Sequence, residues 1–144
     1  MGRRTEYIDT LTLSKDQINK IKRAQFEMRM EGFQNQDEEK LRQKLSAFAS
    51  VLSLAFMLGT PFTLAAAVIS AITSGPSDRD IIITVCRHGE DYLEGLWNIM
   101  DDNPNYELLK VELPFLEFID EGFRIVSGAG RVVAVKDNGI WIPM

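Results

Sequence analysis

Apolar positions recur at two different periods along this chain. From Ser14 onward, Ile18, Ile21, Lys22, Gln25, Phe26 and Met28 return at roughly helical spacing. Ser14 and Gln17 stand three apart as a capping box, and Gly32 fits a C-terminal cap, so the pattern predicts a helix over 15–31. A second box, Asn35 to Glu38, opens a helix predicted over 36–58, charged in its first half and apolar nearly all round in its second. Gly59-Thr60-Pro61 then reads as a stop, an N-cap and a first helical residue, which predicts a third helix over 61–74, ended by Gly75-Pro76.

Beyond that point the pattern changes. The β-branched run Ile81–Val85 reads as a buried strand, and 90–100 as a short helix with Tyr92, Leu93, Leu96, Trp97 and Met100 on one face. Asp101–Asn105 is a turn. Residues 106–119 fit either helix or strand, with Pro114 arguing against a central strand. Strands are predicted over 123–127, 131–136 and 140–142, joined by turns at Gly128-Ala129-Gly130 and at Asp137-Asn138-Gly139. Residues 1–13 read as a lead-in segment. They contain neither a secretory signal nor a myristoylation signal, since Glu6 stands where Ser or Thr is required. The fold class expected is α+β: N-terminal helices including an apolar helix or helical hairpin, followed by a small C-terminal mixed or antiparallel β domain. Three segments result: a charged helical region at 1–44, an apolar segment at 45–77 and an α+β domain at 78–144.

Charge sharpens these boundaries. The chain has 144 residues and a net charge of −5. Residues 1–44 balance at +2, residues 78–144 at −7, and residues 45–77 carry no charge at all. The acidic part argues against a nucleic-acid partner, which requires phosphate-neutralising cations. The charge-free run admits several readings. As one helix it is long enough to span a bilayer, with the N-terminus cytoplasmic by the charge bias at Arg42 and Lys44. Divided at Gly59-Thr60-Pro61, it becomes a hairpin of two helices, each too short to span alone. It can also be the buried core of a homo-oligomer or larger particle, or a monomer's own core. The membrane or assembly interface expected from it comprises Phe48, Val51, Leu52, Leu54, Phe56, Met57, Leu58, Phe62, Leu64, Val68, Ile69 and Ile72.

Candidate chemistry is sparse. One cysteine excludes an internal disulfide, and one cysteine with one histidine excludes a Cys/His zinc site. No cofactor or metal is expected. Arg87-His88-Gly89-Glu90, directly after the predicted strand, resembles the signature of the histidine phosphatase (phosphoglycerate mutase-like) superfamily. That resemblance implies a phosphate-accepting His88 with Arg87 holding the phosphoryl oxygens. The mechanism it implies needs a second histidine, which the chain lacks, and Glu94 replaces the asparagine of that motif. Cys86, Asp101–Asn105, the acidic group Glu117, Asp120 and Glu121, and the two tryptophans read more simply as core or solvated positions, with Trp141 a candidate for an interface. The function expected is a non-enzymatic, membrane-associated or assembly protein acting through 45–77, with the C-terminal domain as contact module. The alternative is a soluble structural subunit of a homo-oligomer or larger, virion- or tail-like particle. A phosphatase-like enzyme at Arg87-His88 is the third reading.

Overall fold

The computed structural model describes residues 2–144 and is an α+β fold. Its elements are β1 (Arg4–Leu13), α1 (Lys15–Glu27), α2 (Glu38–Leu45), α3 (Ala49–Phe56), α4 (Pro61–Ser74), α5 (Arg79–Asp102), β2 (Tyr106–Phe118), β3 (Phe123–Val126), β4 (Arg131–Asp137) and β5 (Ile140–Pro143). All five strands form one antiparallel sheet. β2 lies at its centre, with β1 along one side; β4 and then β3 share the other side, and β5 lies outside β4. Helices α1 and α5 pack on each other, as do α2 and α4. Buried residues of every helix and of β1 to β4 belong to a single apolar core.

The local signals at three element ends act as the sequence implies. Ser14 and Gln17 make both bonds of the capping box. Thr60 caps α4, its hydroxyl accepting from the Thr63 amide, with Pro61 at the first position. Asn138 and Gly139 both take positive φ, +47° and +83°, as the two-residue hairpin turn between β4 and β5 requires. The strands predicted near 123–127, 131–136 and 140–142 are β3, β4 and β5.

Other expectations are overturned. Residues 4–13 are no lead-in. They form β1, paired with β2 along its whole length, and the Tyr7, Asp9, Leu11, Leu13 alternation supplies the inward positions. The run Ile81–Val85 is helical and continues unbroken to Asp102. The inward stripe Ile82, Cys86, Gly89, Glu90, Leu93, Leu96, Met100 has helical period and overrides the β-branched preference, leaving Ile81 and Thr84 in solvent. Residues 106–118 form the central strand despite Pro114. The Pro114 carbonyl accepts from the Ser127 amide, so the edge lacking an N–H faces the gap where β2 exchanges β4 for β3.

The two predicted N-terminal helices are each divided. After Glu27 the first continues as a π-helical turn, Met28–Gln34, which carries the buried Phe33. The second becomes α2, a 3₁₀ turn at Ser46–Phe48, and α3, which ends at Met57 with φ +77°. The cap of α2 is Asp37, its carboxylate accepting from the Lys40 amide. Because α3 stops at Phe56, the apolar run is not one helix. Among the described residues no single helix is long and apolar enough to cross a membrane, and the segments Glu38–Phe56 and Pro61–Ser74 meet at a 65° bend. Positive φ at a non-glycine residue is strained by about 1 kcal/mol or more. Met57→Gly is therefore expected to leave stability unchanged or raise it, whereas Met57→Val lowers it; denaturant midpoints measure the difference.

Candidate functional site

The Arg-His-Gly-Glu segment lies in the middle of α5, so the strand-end setting on which the phosphatase resemblance rests is absent. Arg87 and His88 face solvent, while Gly89 and Glu90 face inward. The Glu90 carboxylate accepts from Arg29 Nε at 2.8 Å and from Arg29 Nη2 at 3.0 Å, a buried bidentate pair joining α5 to the π-helical turn. Burial pushes the Glu90 carboxyl above its ordinary value, against the pull of the guanidinium. The hydrogen bond to Glu90 raises Arg29 in turn.

Beside this pair, Gln25 of α1 acts as an extra strand neighbour. Its amide nitrogen donates to the Val126 carbonyl at 2.8 Å and to the Cys86 carbonyl at 2.9 Å, and its oxygen accepts from the Val126 amide at 2.8 Å. The Val126 end of the far edge of β3 is thereby satisfied by a side chain. Gly89 lies against the same Val126 carbonyl, leaving no room for a Cβ. Cys86 is fully buried, and desolvation pushes its thiol well above the ordinary value. A thiol reagent such as DTNB is expected to label it only as fast as the chain unfolds; prompt stoichiometric labelling of the native protein contradicts this placement.

The remaining sequence candidates are accounted for by local structure. Asp120 is held below the usual carboxylate range by the Arg3 amide and guanidinium. Asp101 pairs with Lys15 at 2.7 Å, and Lys15 lies over Trp97. Gly130 packs against the Glu112 carbonyl, which explains glycine at the bend between β3 and β4. Among the described residues no group of three acidic, His or Cys side chains is placed to hold a metal. Two buried cations, Arg29 and Arg124, escaped the sequence reading, and the second makes the wider set of contacts. Arg124 of β3 donates to the Leu54 and Ala55 carbonyls at the end of α3 and to Asp9, and stacks 3.7 Å from the Phe115 ring centroid. Its only sequence signal is a charge within an otherwise apolar strand.

The twelve residues expected to form an interface divide three ways. Phe48, Val51, Leu52, Phe56, Leu64, Val68 and Ile72 are buried within the single chain. Leu54, Leu58 and Ile69 are half-buried, and Met57 and Phe62 are exposed. The outward positions of the run are mostly Ser, Thr and Ala, among them Ser46, Ala49, Ser50, Ser53, Thr63, Ser70, Thr73 and Ser74. A charge-free segment is thus amphipathic through its hydroxyls.

The densest apolar exposure lies elsewhere. Among the described residues, four of the eleven exposed large apolar side chains fall in the last five positions: Ile140, Trp141, Ile142 and Met144. On the outer face of the sheet, Thr12, Lys110, Ala134 and Pro143 stand in one cross-strand row, and with Trp141 they line an open cleft of about 320 Å³. On the opposite face Ile142 lies beside the buried Val135, yet Ile142 is 42% and Ile140 67% exposed. Strand β5 therefore overhangs the helical layer, apolar on both sides. Comparisons with protein-family models, with curated proteins and with solved structures return no match.

Proposed function

We propose that this protein is a non-enzymatic assembly subunit that associates with other protein surfaces through exposed apolar side chains. The observation that carries this reading is the overhang of β5. Apolar exposure on both sides of an edge strand marks an association site, because a lone subunit leaves it in water. The run 45–77 contributes through Met57 and Phe62, flanked by the half-buried Leu54, Leu58 and Ile69, while its buried members serve the chain's own core. Sedimentation velocity of the full chain without detergent tests the reading. Concentration-dependent association is expected, and a monomer at every accessible concentration overturns it. The enzyme reading returns only if phosphomonoester turnover is found and is lost in His88→Ala.

A second reading, membrane association with the N-terminus cytoplasmic if the chain spans, is favoured by one observation. The bent pair Glu38–Phe56 and Pro61–Ser74 together have the length and composition of a broken span. Insertion would have to withdraw Leu64, Val68 and Ile72 from the core and break the Arg124 contacts to the end of α3. Flotation with anionic vesicles distinguishes the two: the assembly subunit stays at the bottom of the gradient, and co-flotation of folded protein supports the membrane reading.

A further inference from the structure

Backbone groups along β5 determine what can pair with it. The Asn138-Gly139 turn places Asp137 opposite Ile140, and Val135 opposite Ile142. In an antiparallel ladder, pairs that exchange hydrogen bonds alternate with pairs that do not. A two-residue turn makes Asp137–Ile140 an exchanging pair, and the Met144 amide donates to the Val133 carbonyl at 3.0 Å in the same phase. Trp141 and Pro143 are thus out of phase with β4. The N–H and C=O of Trp141 and the C=O of Pro143 point outward, along an edge that no other strand among the described residues covers. Pro143 has no N–H, so within Ile140–Pro143 one outward N–H remains, that of Trp141.

Resting on the assembly reading above, we propose that β5 pairs antiparallel with β5 of a second copy, about a two-fold axis beside Trp141. In this register Trp141 and the partner's Trp141 exchange both bonds within one pair, so the donor and the acceptor of each Trp141 are both used. Sliding by two residues so that Trp141 meets Pro143 spreads the same two bonds over two pairs and leaves both Trp141 carbonyls facing a proline nitrogen that cannot donate. In the two-fold register Pro143 lies opposite the turn, where its missing N–H forfeits no bond within the strand.

The side chains agree with that register. Trp141 stacks beside the partner's Trp141 on the outer face, with Lys136 next to each in the neighbouring strand. Ile140 and Ile142 meet the partner's Ile142 and Ile140 on the opposite face, where the helices leave them exposed. Residues 140–144 carry no charge, so self-pairing sets no like charges opposite each other, whereas β1, the other free edge, carries Arg4, Glu6 and Asp9. A two-fold contact is closed: each β5 edge is covered once, and two five-stranded sheets become one of ten strands without further growth through β5.

The test uses the full chain. Sedimentation from low to high micromolar protein is expected to show a monomer–dimer equilibrium. Trp141→Pro removes the outward N–H, which the monomer does not use, and is expected to weaken dimerisation roughly tenfold or more, with far-UV circular dichroism checking the fold. Trp141→Cys provides a second measurement. Self-opposed residues in an exchanging pair have Cα atoms about 5.5 Å apart, within disulfide reach. Mild oxidation should therefore give a covalent dimer, while Ile8→Cys on β1 stays largely uncrosslinked. Association that is unchanged in Trp141→Pro, or crosslinking of Trp141→Cys no faster than that of the Ile8→Cys control, overturns the β5 contact and leaves the assembly reading standing. A monomer throughout overturns both. Capture of an extended apolar peptide without self-association also overturns the two-fold contact.

Discussion

Gly89→Ala is expected to destabilise the chain by about 3 kcal/mol, the upper part of the range for overpacking in a tight core. The new methyl group would fall inside the van der Waals radius of the Val126 carbonyl oxygen and close on the Gln25 amide nitrogen. Neither neighbour can yield cheaply. The Val126 carbonyl is main chain within a strand that is buried at every position, and it already accepts from Gln25. Relief requires α5 to move away from β3, which pulls Gln25 off the Cys86 carbonyl as well. At about 3 °C per kcal/mol for a chain of this size, the melting temperature should fall by roughly 10 °C. Gly95, on the exposed side of the same helix with nothing near its missing Cβ, is the control. Gly95→Ala should raise stability by a few tenths to about 1 kcal/mol through helix propensity alone. Equal losses at the two positions would mean that the Gly89 contact is not what requires glycine.

Legibility from sequence followed the range of the interaction. Thr60-Pro61, Ser14–Gln17 and Asn138-Gly139 are local devices, in which a few adjacent residues satisfy their own backbone groups, and each acts as its residues imply. Elements decided by distant partners are not legible in this way. The alternating signal of Tyr7 to Leu13 is present in the sequence, but it gains meaning only once β2 is known to lie a hundred residues away. Ile81–Val85 has strand composition, yet the stripe that decides its state extends to Met100, beyond a window centred on the run. Pro114 is compatible with a central strand only because two different strands share one side of β2 and its missing N–H falls between them.

The candidate surface shows the same division. The charge-free run stood out by composition, and composition alone does not separate a lipid-facing stripe from a core-facing one. Its outward Ser and Thr positions, spaced by the helix, carry that information, but only after the break at Met57 fixes the phase of α3 and α4 separately. β5 was legible as a strand from Asn138-Gly139, but its position at the sheet edge was not. That position follows from β4 pairing with β2, a contact over about two dozen residues that no turn signal encodes.

Glu90→Ala is expected to be the most damaging single change, at about 3–5 kcal/mol, because it strands a buried guanidinium without its partner. Arg29 and Glu90 are 7% exposed each, and both Arg29 nitrogens that reach the carboxylate lie within 3.0 Å of it. Replacing both residues by apolar groups of similar volume, Arg29→Met with Glu90→Leu, should recover most of that loss, since neither charge is then left buried. A double-mutant cycle by denaturant unfolding measures the coupling, and losses that simply add would show that the pair is not a unit. The pH dependence supplies an independent sign. Burial holds the folded Glu90 carboxyl above its unfolded value, so protonation favours the folded state. The associated stability is fully present below about pH 4.3, the unfolded value, and is lost as pH rises through the folded value. Glu90→Gln, which keeps the shape and does not titrate, should therefore gain on the wild type as pH rises from about 4 through the acid range. A difference that widens in the wild type's favour over the same interval would mean that Arg29, not burial, sets the state of this carboxyl. In either case Gly89 and Glu90 face the core, so half of the segment that resembled a phosphatase signature serves to lock α5 against β3 and the π-helical turn.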